Sequence, residues 1–192
     1  MAKKQLGPTT HLFPMPTMLV AVKTGEGTAN ILTIAWGGIV GGEPPMMALD
    51  IGGSHYSSAF IEQEGNFTVN IPRSDQVVGA DYCGMVSGRQ DPDKPGTCGW
   101  TMAPSRHISS PIIAECPLNF ECRVIRKVDT EDGGFYLVEI VETHVDETLL
   151  MGGKVIDALA LDPLIFTPDG YYHKLGPRVG QGWDAGNALK RH

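Results

Sequence analysis

Residues 30–50, NILTIAWGGIVGGEPPMMALD, decide the fold, because an apolar run breaks into glycines and then resumes. Isoleucine, threonine and tryptophan suit a buried strand, so we predict one strand over residues 31–36 and another over residues 46–51. The glycines between them forbid a regular continuation and leave main-chain amides unshielded. The stretch is therefore either a turn between two core strands or a strand end that offers hydrogen-bond donors to a flat ligand. The glycines are Gly37, Gly38, Gly41 and Gly42.

Length and charge limit the class of protein. A chain of 192 residues with 42% hydrophobic residues and a mean hydropathy of -0.08 predicts one globular domain spanning residues 1–192. The net charge of -7 and the lack of long lysine or arginine clusters argue against nucleic acid and anionic membranes as partners. No apolar run approaches the roughly 20 residues that span a bilayer. Residues 1–16 contain no continuous apolar segment, so we expect no signal peptide.

The cysteines predict a reduced, metal-free protein. None of the four forms a CxxC motif, and the six histidines are too dispersed for a zinc finger, so we expect no metal site. If Cys116 and Cys122 share a strand, about 20 Å separates them, which is beyond disulfide reach. Free thiols are typical of the cytoplasm, where we expect this protein.

Further strands follow from the patterning. Residues 18–22 form a short apolar run, and residues 66–71 form another before a proline. Residues 118–125 alternate apolar and polar side chains, which predicts a strand with a polar second face. The sequence Asp132-Gly133-Gly134 predicts a hairpin turn into a strand over residues 135–142, and a last strand or hairpin follows over residues 146–150 and 154–157. Six to eight strands joined by short loops predict a small antiparallel β-barrel.

Two short helices are predicted. Ser54 or Ser57 can cap the first, with Phe60 and Ile61 facing inward and Gly65 ending it. The second covers residues 74–86, with its inward side chains at helical spacing. We expect these to be Val77, Val78, Tyr82 and Met85, with Cys83 beside them.

Two segments could bind an anion. The start of the first helix combines free amides, the positive end of the helix dipole, two hydroxyls and His55. The polar loop over residues 87–96 carries Arg89 and Lys94 after Ser87 and could hold a phosphate. An ordinary capped helix and a solvated loop are the alternatives. The sequence contains no Walker or GxSxG motif and no GxGxxG between a strand and a helix, so a bound cofactor would need a non-Rossmann fold.

The order of short motifs resembles the flavin reductase-like, FMN-binding split-barrel family, and within it the flavoredoxin branch. The resemblance covers nearly the whole chain. It implies a mainly β fold, a six-stranded antiparallel split β-barrel with a few short helices, a homodimer, and one FMN per subunit near the dimer interface. The motifs are P-x-P at 14–16, N-x-x-T-x-x-W at 30–36, PP at 44–45, FTVNI at 67–71, ADY at 80–82, SGR at 87–89 with DK at 93–94, PL…EC at 117–122, VDE at 145–147 and Y-x-x-LG at 172–176.

The resemblance also implies where FMN would bind. Residues 30–38 would lie along the isoalloxazine edge and donate backbone hydrogen bonds that stabilise charge on the reduced ring. The start of the first helix and the loop over residues 87–96 would hold the phosphate, and a C-terminal tyrosine of either subunit would approach the flavin. The implied cofactor-binding residues are Asn30, Thr33, Ile34, Ala35, Trp36, Ser54, His55, Ser57, Ser87, Arg89, Lys94 and Tyr172.

The electron donor is left open by the sequence. Relatives that use NAD(P)H often carry a Gly-Asp-His-like turn, whereas this chain has Asp132-Gly133-Gly134 with no histidine. The resemblance therefore implies FMN binding more strongly than NAD(P)H oxidation. The protein is either a redox protein that receives electrons from NAD(P)H or from another redox protein, or a non-catalytic flavin-binding or structural dimer. No side chain is needed as a catalytic acid or base, because the flavin carries the chemistry.

Overall fold

The computed structural model describes residues 1–131 and 133–190. The strands are β1 (Met15–Pro16), β2 (Met18–Gly25), β3 (Thr28–Ile34), β4 (Gly37–Gly42), β5 (Pro45–Asp50), β6 (Asn66–Ile71), β7 (Met102–Ala103), β8 (Ile112–Ile113), β9 (Leu118–Val128), β10 (Phe135–Val145), β11 (Leu150–Met151), β12 (Val155–Ile156), β13 (Ile165–Thr167) and β14 (Tyr171–His173). The helices are α1 (Tyr56–Glu64), α2 (Val77–Met85), α3 (Lys94–Thr97) and α4 (Ala158–Leu161), with 3-10 turns at Ser74–Gln76, Glu147–Leu149 and Ala185–Leu189. The expected mainly β fold with short helices is confirmed.

The main sheet is an open barrel. Its strands pair antiparallel in the order β3-β2-β6-β9-β10-β5-β4, so the two edge strands are consecutive along the chain. Only Ala35 and Trp36 join these edges, and the Asp50 amide donates to the Trp36 carbonyl oxygen at 2.8 Å. A two-residue connection requires the sheet to curl until its two edges come close at residues 35–36, as in a split barrel.

The glycine-rich segment forms a strand of its own, which excludes the turn that was one of its two alternatives. Gly37–Gly42 is β4 and pairs with β5, and the main sheet has seven strands rather than six. Glycine weakens a strand by only about 1 kcal/mol, which the pairing with β5 outweighs. A Cβ at Gly37 would lie 2.9 Å from the Ala48 carbonyl oxygen, so glycine allows the two backbones to approach closely.

The barrel core and a second core share β2. Residues 18–22 are at most 3% exposed, because alternate side chains face the barrel interior and the layer formed by α2 and the 100–116 segment. The barrel interior includes Val20, Leu49, Phe67, Tyr136 and Val138. The second core includes Leu19, Ala21, Ile31, Ala80, Cys83, Ile113 and Cys116. The second core fixes α2 against β2 and β3.

Helix α1 begins and ends close to its predicted limits but is not capped by serine. His55 is the N-cap residue and makes no side-chain capping bond. The Ser57 hydroxyl instead accepts from Asn30, because β3 runs beside the start of the helix. Gly65, at φ 66°, ends the helix in the left-handed conformation, and its amide donates to the Ile61 carbonyl, as expected.

Helix α2 lies within its predicted range, and Cys83 and Val77 face the second core as predicted, but the prediction that Val78 and Met85 face inward was wrong. Val78 is 80% exposed and Met85 is 76% exposed, whereas Ala80 and Cys83 are buried. The small side chains allow the helix backbone to approach β3, where the Thr33 hydroxyl donates to the Ala80 carbonyl at 2.5 Å. Close packing of the small face therefore turns the larger apolar residues outward.

The polar face of β9 is buried in its first half, whereas Arg123 and Ile125 farther along the same face are exposed. Asn119 is 4% exposed and Glu121 is inaccessible, because residues 104–113 cover this face. The Glu121 carboxylate accepts from the Arg106 amide at 2.6 Å and from the His107 amide at 2.7 Å, and it lies 2.7 Å from His144 Nε2. Burial alone would raise the pKa of Glu121, but these three groups together hold it below its ordinary value. The carboxylate fastens the covering loop to the sheet.

Glu121→Gln should lower the free energy of unfolding by about 2–3 kcal/mol at pH 7, since two buried amides lose a charged acceptor. The pKa of Glu121 is lower in the folded state than in the unfolded state. Its contribution to the free energy of unfolding is therefore fully present above the unfolded pKa of about 4.3, and it is lost as the pH falls through the folded-state pKa. Urea unfolding at pH 7 and pH 4 measures this. The half-exposed Glu139 is the control, and Glu139→Gln should change stability by less than about 0.5 kcal/mol. Equal effects of the two substitutions would contradict the anchoring role.

The remaining expectations have mixed outcomes. Strands β9 and β10 pair antiparallel as expected, while Asp132 of the predicted hairpin turn lies outside the described residues. The hairpin of β11 and β12 is confirmed. All four cysteines are free thiols. In the part of the chain that the structure describes, no helix is long and apolar enough to cross a membrane, and no three His, Cys, Asp or Glu side chains cluster as metal ligands would.

Candidate functional site

Two adjoining cavities lie along the edge strand β3, where α2 and α3 cover it. The polar cavity, of about 320 Å³, lies between β3, the start of α1 and residues 83–94. The edge cavity, of about 310 Å³, lies between the end of β3, α2 and β14. Thr33, Gly84 and Met85 line both, so the two cavities adjoin at these residues. Together they have the size of a small-molecule site.

The sequence-predicted residues converge on these cavities. Eight of them line the polar cavity: Asn30, Thr33, Ser54, His55, Ser57, Ser87, Arg89 and Lys94. Thr33, Ile34, Ala35 and Tyr172 line the edge cavity. Trp36 lines neither cavity and contributes instead to a third, apolar cavity of about 450 Å³ beside Leu12 and Phe135. Ala35 also lines that third cavity.

Lys94 places a buried positive charge in the polar cavity. Its side chain is 1% exposed, and its ammonium donates to the Val86 carbonyl at 2.6 Å and to the Cys83 carbonyl at 3.2 Å. Within the described chain, no carboxylate lies within 4.0 Å of this ammonium. Burial lowers the pKa of Lys94 below its ordinary value. A buried cation without a carboxylate partner favours an anion in the cavity.

Asp91, the carboxylate whose charge acts on Lys94, is hydrogen-bonded to other partners. One oxygen of Asp91 accepts from the Tyr82 hydroxyl at 2.9 Å and from the Thr97 hydroxyl at 2.8 Å. The hydroxyl of Thr97, followed by that of Tyr82, lowers the pKa of Asp91. These bonds fasten α3 to α2 and leave the charge of Lys94 for the cavity.

Two buried polar atoms in these cavities have no hydrogen-bond partner. Among the described residues, the buried side-chain oxygens and nitrogens that lack a partner are Thr17 Oγ1 and Asn30 Oδ1. Asn30 is one of the residues that line the polar cavity, and Thr17 is one of those that line the edge cavity. Leaving a buried polar group unpaired costs about 1–3 kcal/mol, so natural structures rarely do so without a ligand or water. Each cavity is therefore lined by one residue that has an unpaired buried oxygen.

The start of α1 and the Ser-Gly-Arg loop close the polar cavity. The Asn30 amide group donates to the Ser57 hydroxyl at 2.7 Å, which fixes β3 to the helix start. The Arg89 guanidinium lies 5.5 Å from the centre of the Tyr56 ring. A Cβ at Gly88 would lie 2.4 Å from both Asn30 Oδ1 and Tyr56 Cδ1, so only glycine fits there. Arg89 of the loop and the N-terminus of α1 therefore both lie at the polar cavity, where they can bind an anion.

Tyr172 reaches the edge cavity from within the same chain. Its hydroxyl donates to Asp81 Oδ1 at 3.0 Å, and its ring centre lies 5.4 Å from that of Phe166. Burial, reinforced by Asp81, raises the pKa of Tyr172 to about 12. The phenol therefore stays protonated at neutral pH and positions β14 against α2.

Sequence reasoning missed several residues of these cavities. Thr17 and Phe166 carry no local motif, and Gly84 and Met85 were assigned to a helix rather than to a site. Tyr56 lies at the start of the first helix and carries no binding motif of its own. Only the packing of α2 and β14 against β3 brings these residues together.

Known proteins resemble this chain over most of its length. The family described as "Flavin reductase like domain" matches residues 10–174. Flavoredoxin of Desulfovibrio vulgaris (Miyazaki F) is 32% identical, with a TM-score of 0.90 and with 96% of this chain and 100% of that chain covered. Flavoredoxin from Methanosarcina acetivorans is 34% identical, also at a TM-score of 0.90, with 98% and 100% covered. An uncharacterized protein of Archaeoglobus fulgidus is 30% identical, with 71% of this chain and 76% of the relative covered.

Proposed function

This chain belongs to the flavin reductase like domain family, and we propose that it is an FMN-binding redox protein of the flavoredoxin type. The observation that carries the proposal is that Asn30 and Thr17, each with a buried and unpartnered oxygen, line two adjoining cavities. The family indicates the class of ligand, and the two unpartnered oxygens are the reason to expect that ligand in these cavities.

The polar cavity suits the phosphate end of FMN. A phosphate monoester carries about -1.5 to -2 charge at pH 7 and presents three acceptor oxygens. Lys94 supplies a buried charge with a hydrogen-bond donor to spare, and Arg89 supplies a second charge from the loop. The hydroxyls of Ser54 and Ser87 and the helix start at His55 provide neutral donors. The cavity therefore matches a dianion in both charge and donor count.

The edge cavity suits the ring end of FMN. Bound FMN would supply the capacity to accept and release electrons. Because β3 is an edge strand, its outer backbone groups lie outside the ladder of the main sheet. Thr17 and Thr33 add hydroxyls near the end of that strand, while Ile34 and Tyr172 enclose the space. These residues would orient the ring and limit its contact with water.

We further propose a homodimer that exchanges electrons with NAD(P)H or with another redox protein. Large apolar side chains are exposed on the edge strand β4, where Ile39 is 64% and Val40 is 56% exposed, and on α2 at Val78 and Met85. These side chains offer area for a subunit interface. A non-catalytic flavin-binding or structural dimer is the alternative, and the reaction with electron donors distinguishes the two.

Purified protein is expected to be yellow, with one FMN per chain and two chains per particle. Absorbance after protein precipitation measures the flavin, and light scattering measures the assembly. Under anaerobic conditions, bleaching within minutes by NADH or NADPH would identify a reductase, while bleaching by a reduced ferredoxin-type donor alone would identify an electron carrier. No bleaching by any donor would favour the non-catalytic alternative. A colourless protein that also fails to take up added FMN would refute the proposal.

A further inference from the structure

Two cysteines face each other between α2 and the end of α3. Cys83 Sγ lies 3.8 Å from Cys98 Sγ. A disulfide bond is about 2.05 Å long, so bond formation requires an approach of less than about 2 Å. Both side chains are free thiols, and neither is needed to bind the flavin in the function proposed above.

The pair connects the outer surface to the polar cavity. Cys98 is partly exposed and lines an open cavity of about 460 Å³ beside Gly79, Tyr82 and Trp100. Cys83 is 2% exposed and lines the polar cavity on the opposite side of α2. A small thiol reagent would therefore meet Cys98 first, with Cys83 behind it.

The surrounding hydrogen bonds hold the pair in place. Asp91 ties Tyr82 of α2 to Thr97 of α3 through one carboxylate oxygen, at 2.9 Å and 2.8 Å. The Cys98 amide donates to the Lys94 carbonyl at 3.0 Å. The segment between the two cysteines is thus already folded back, and much of the entropy cost of joining them is met by the native structure.

We propose that Cys83 and Cys98 form a reversible disulfide by exchange with low-molecular-weight disulfides, and that this bond is coupled to the polar cavity. In the first step the Cys98 thiolate attacks one sulfur of the reagent, and one thiolate leaves. In the second step the Cys83 thiolate attacks the Cys98 sulfur and displaces the second thiolate. The protein loses two electrons and two protons, and the reagent becomes two thiols. The coupling rests on the proposed function, whereas the disulfide does not.

The coupling follows from the contacts of Lys94. The Cys83 carbonyl accepts from the Lys94 ammonium at 3.2 Å, and the Cys98 amide donates to the Lys94 backbone carbonyl. Bond formation draws these two residues together and therefore shifts both ends of the lysine. Burial, followed by the charge of Cys98, raises the pKa of Cys83, and burial also raises that of Cys98. Because only the thiolate reacts, exchange should become faster as pH rises from 7 to 9.

Incubation with oxidised glutathione at pH 8, without oxygen, tests the disulfide. After acid quench, unfolding and alkylation, we expect the thiol count to fall from four to two. Peptide mapping should link Cys83 to Cys98, and dithiothreitol should restore four thiols. Cys116→Ser, which alters a buried cysteine outside the pair, should still lose two thiols, whereas Cys98→Ala should lose none. Four remaining thiols in the folded wild type, a different linkage, or glutathione retained on Cys98 would overturn the proposal.

A flavin titration of the two wild-type forms tests the coupling. We expect the Kd for FMN to differ by at least about threefold between the dithiol and disulfide forms, and to be unaffected by glutathione treatment in Cys98→Ala. Equal Kd values for the two wild-type forms would overturn the coupling. If neither form binds FMN, the proposed function and the coupling are both wrong. The thiol count still shows whether Cys83 and Cys98 form a disulfide.

Discussion

Replacing Lys94 with methionine is expected to weaken FMN binding about 10- to 100-fold while changing riboflavin binding by less than about threefold. The ammonium is buried, donates to two carbonyls and meets no carboxylate in the described chain, so its charge is available to a phosphate. Methionine keeps the apolar stem and removes the charge. The loss therefore falls on the phosphate, which riboflavin lacks. Quenching of flavin fluorescence by the apoprotein measures both affinities.

Two comparisons sharpen this experiment. Lys154→Met, at an exposed position between β11 and β12, should leave both affinities unchanged. Arg89→Ala should cost less than Lys94→Met, because the exposed guanidinium is partly hydrated, and the double variant should bind FMN most weakly. Removal of an unpaired buried charge offsets the two lost hydrogen bonds, so the fold should persist in circular dichroism. Equal losses for FMN and riboflavin would show that Lys94 does not bind the phosphate.

The sequence predicted correctly those strands and helices whose limits are set by neighbouring residues. Strand β6 has the predicted bounds, because its β-type residues lie between the Gly65 stop and Pro72. The differences arose where pairing with or covering by another segment decides the outcome. Strand β4 forms because the next strand, β5, pairs with its glycines across a two-residue connection, and Glu121 is buried because the 104–113 loop covers it. Glycine content and alternation carry no signal for either contact, so neither outcome could be predicted from them.

The residues of the candidate site also fall into two groups, those that a local motif predicted and those that only the fold brings into place. The residues of the polar cavity carry compact motifs, namely the Ser-His-Tyr-Ser helix start and the Ser-Gly-Arg loop, and sequence alone nominated them. Thr17 was missed, since a single threonine before a strand has no signature, yet its hydroxyl is one of the two unpartnered buried atoms. Trp36 was nominated by its motif position, but the sharp connection between β3 and β4 directs it to the third cavity. Tertiary packing decides the positions of Thr17 and Trp36, and the sequence pattern carries no signal for that packing.

Gly84→Leu is expected to abolish the binding of both FMN and riboflavin, by at least about 100-fold. Gly84 lines the polar cavity and the edge cavity, so the cofactor must pass it to fill both. A Cβ there would lie 3.4 Å from Thr33 Cβ, an ordinary contact that the backbone tolerates, while the rest of a leucine would occupy the passage. Because the variant should lose binding of both FMN and riboflavin, a blocked passage can be distinguished from the phosphate-specific effect of Lys94→Met. Fluorescence titration with each flavin measures it.

The matched variants separate blockage from misfolding. Gly84→Ala adds only the tolerated Cβ and should keep both affinities within about tenfold, and alanine stabilises a helix relative to glycine by about 1 kcal/mol. Val155→Leu, at an exposed position of β12 that lines neither cavity, should bind flavin as the wild type does. Thermal unfolding should give Gly84→Leu a Tm no lower than that of the wild type, because a helix former replaces glycine. If Gly84→Leu bound FMN normally, the cofactor would not span the two cavities, and the ring end would have to lie outside the edge cavity.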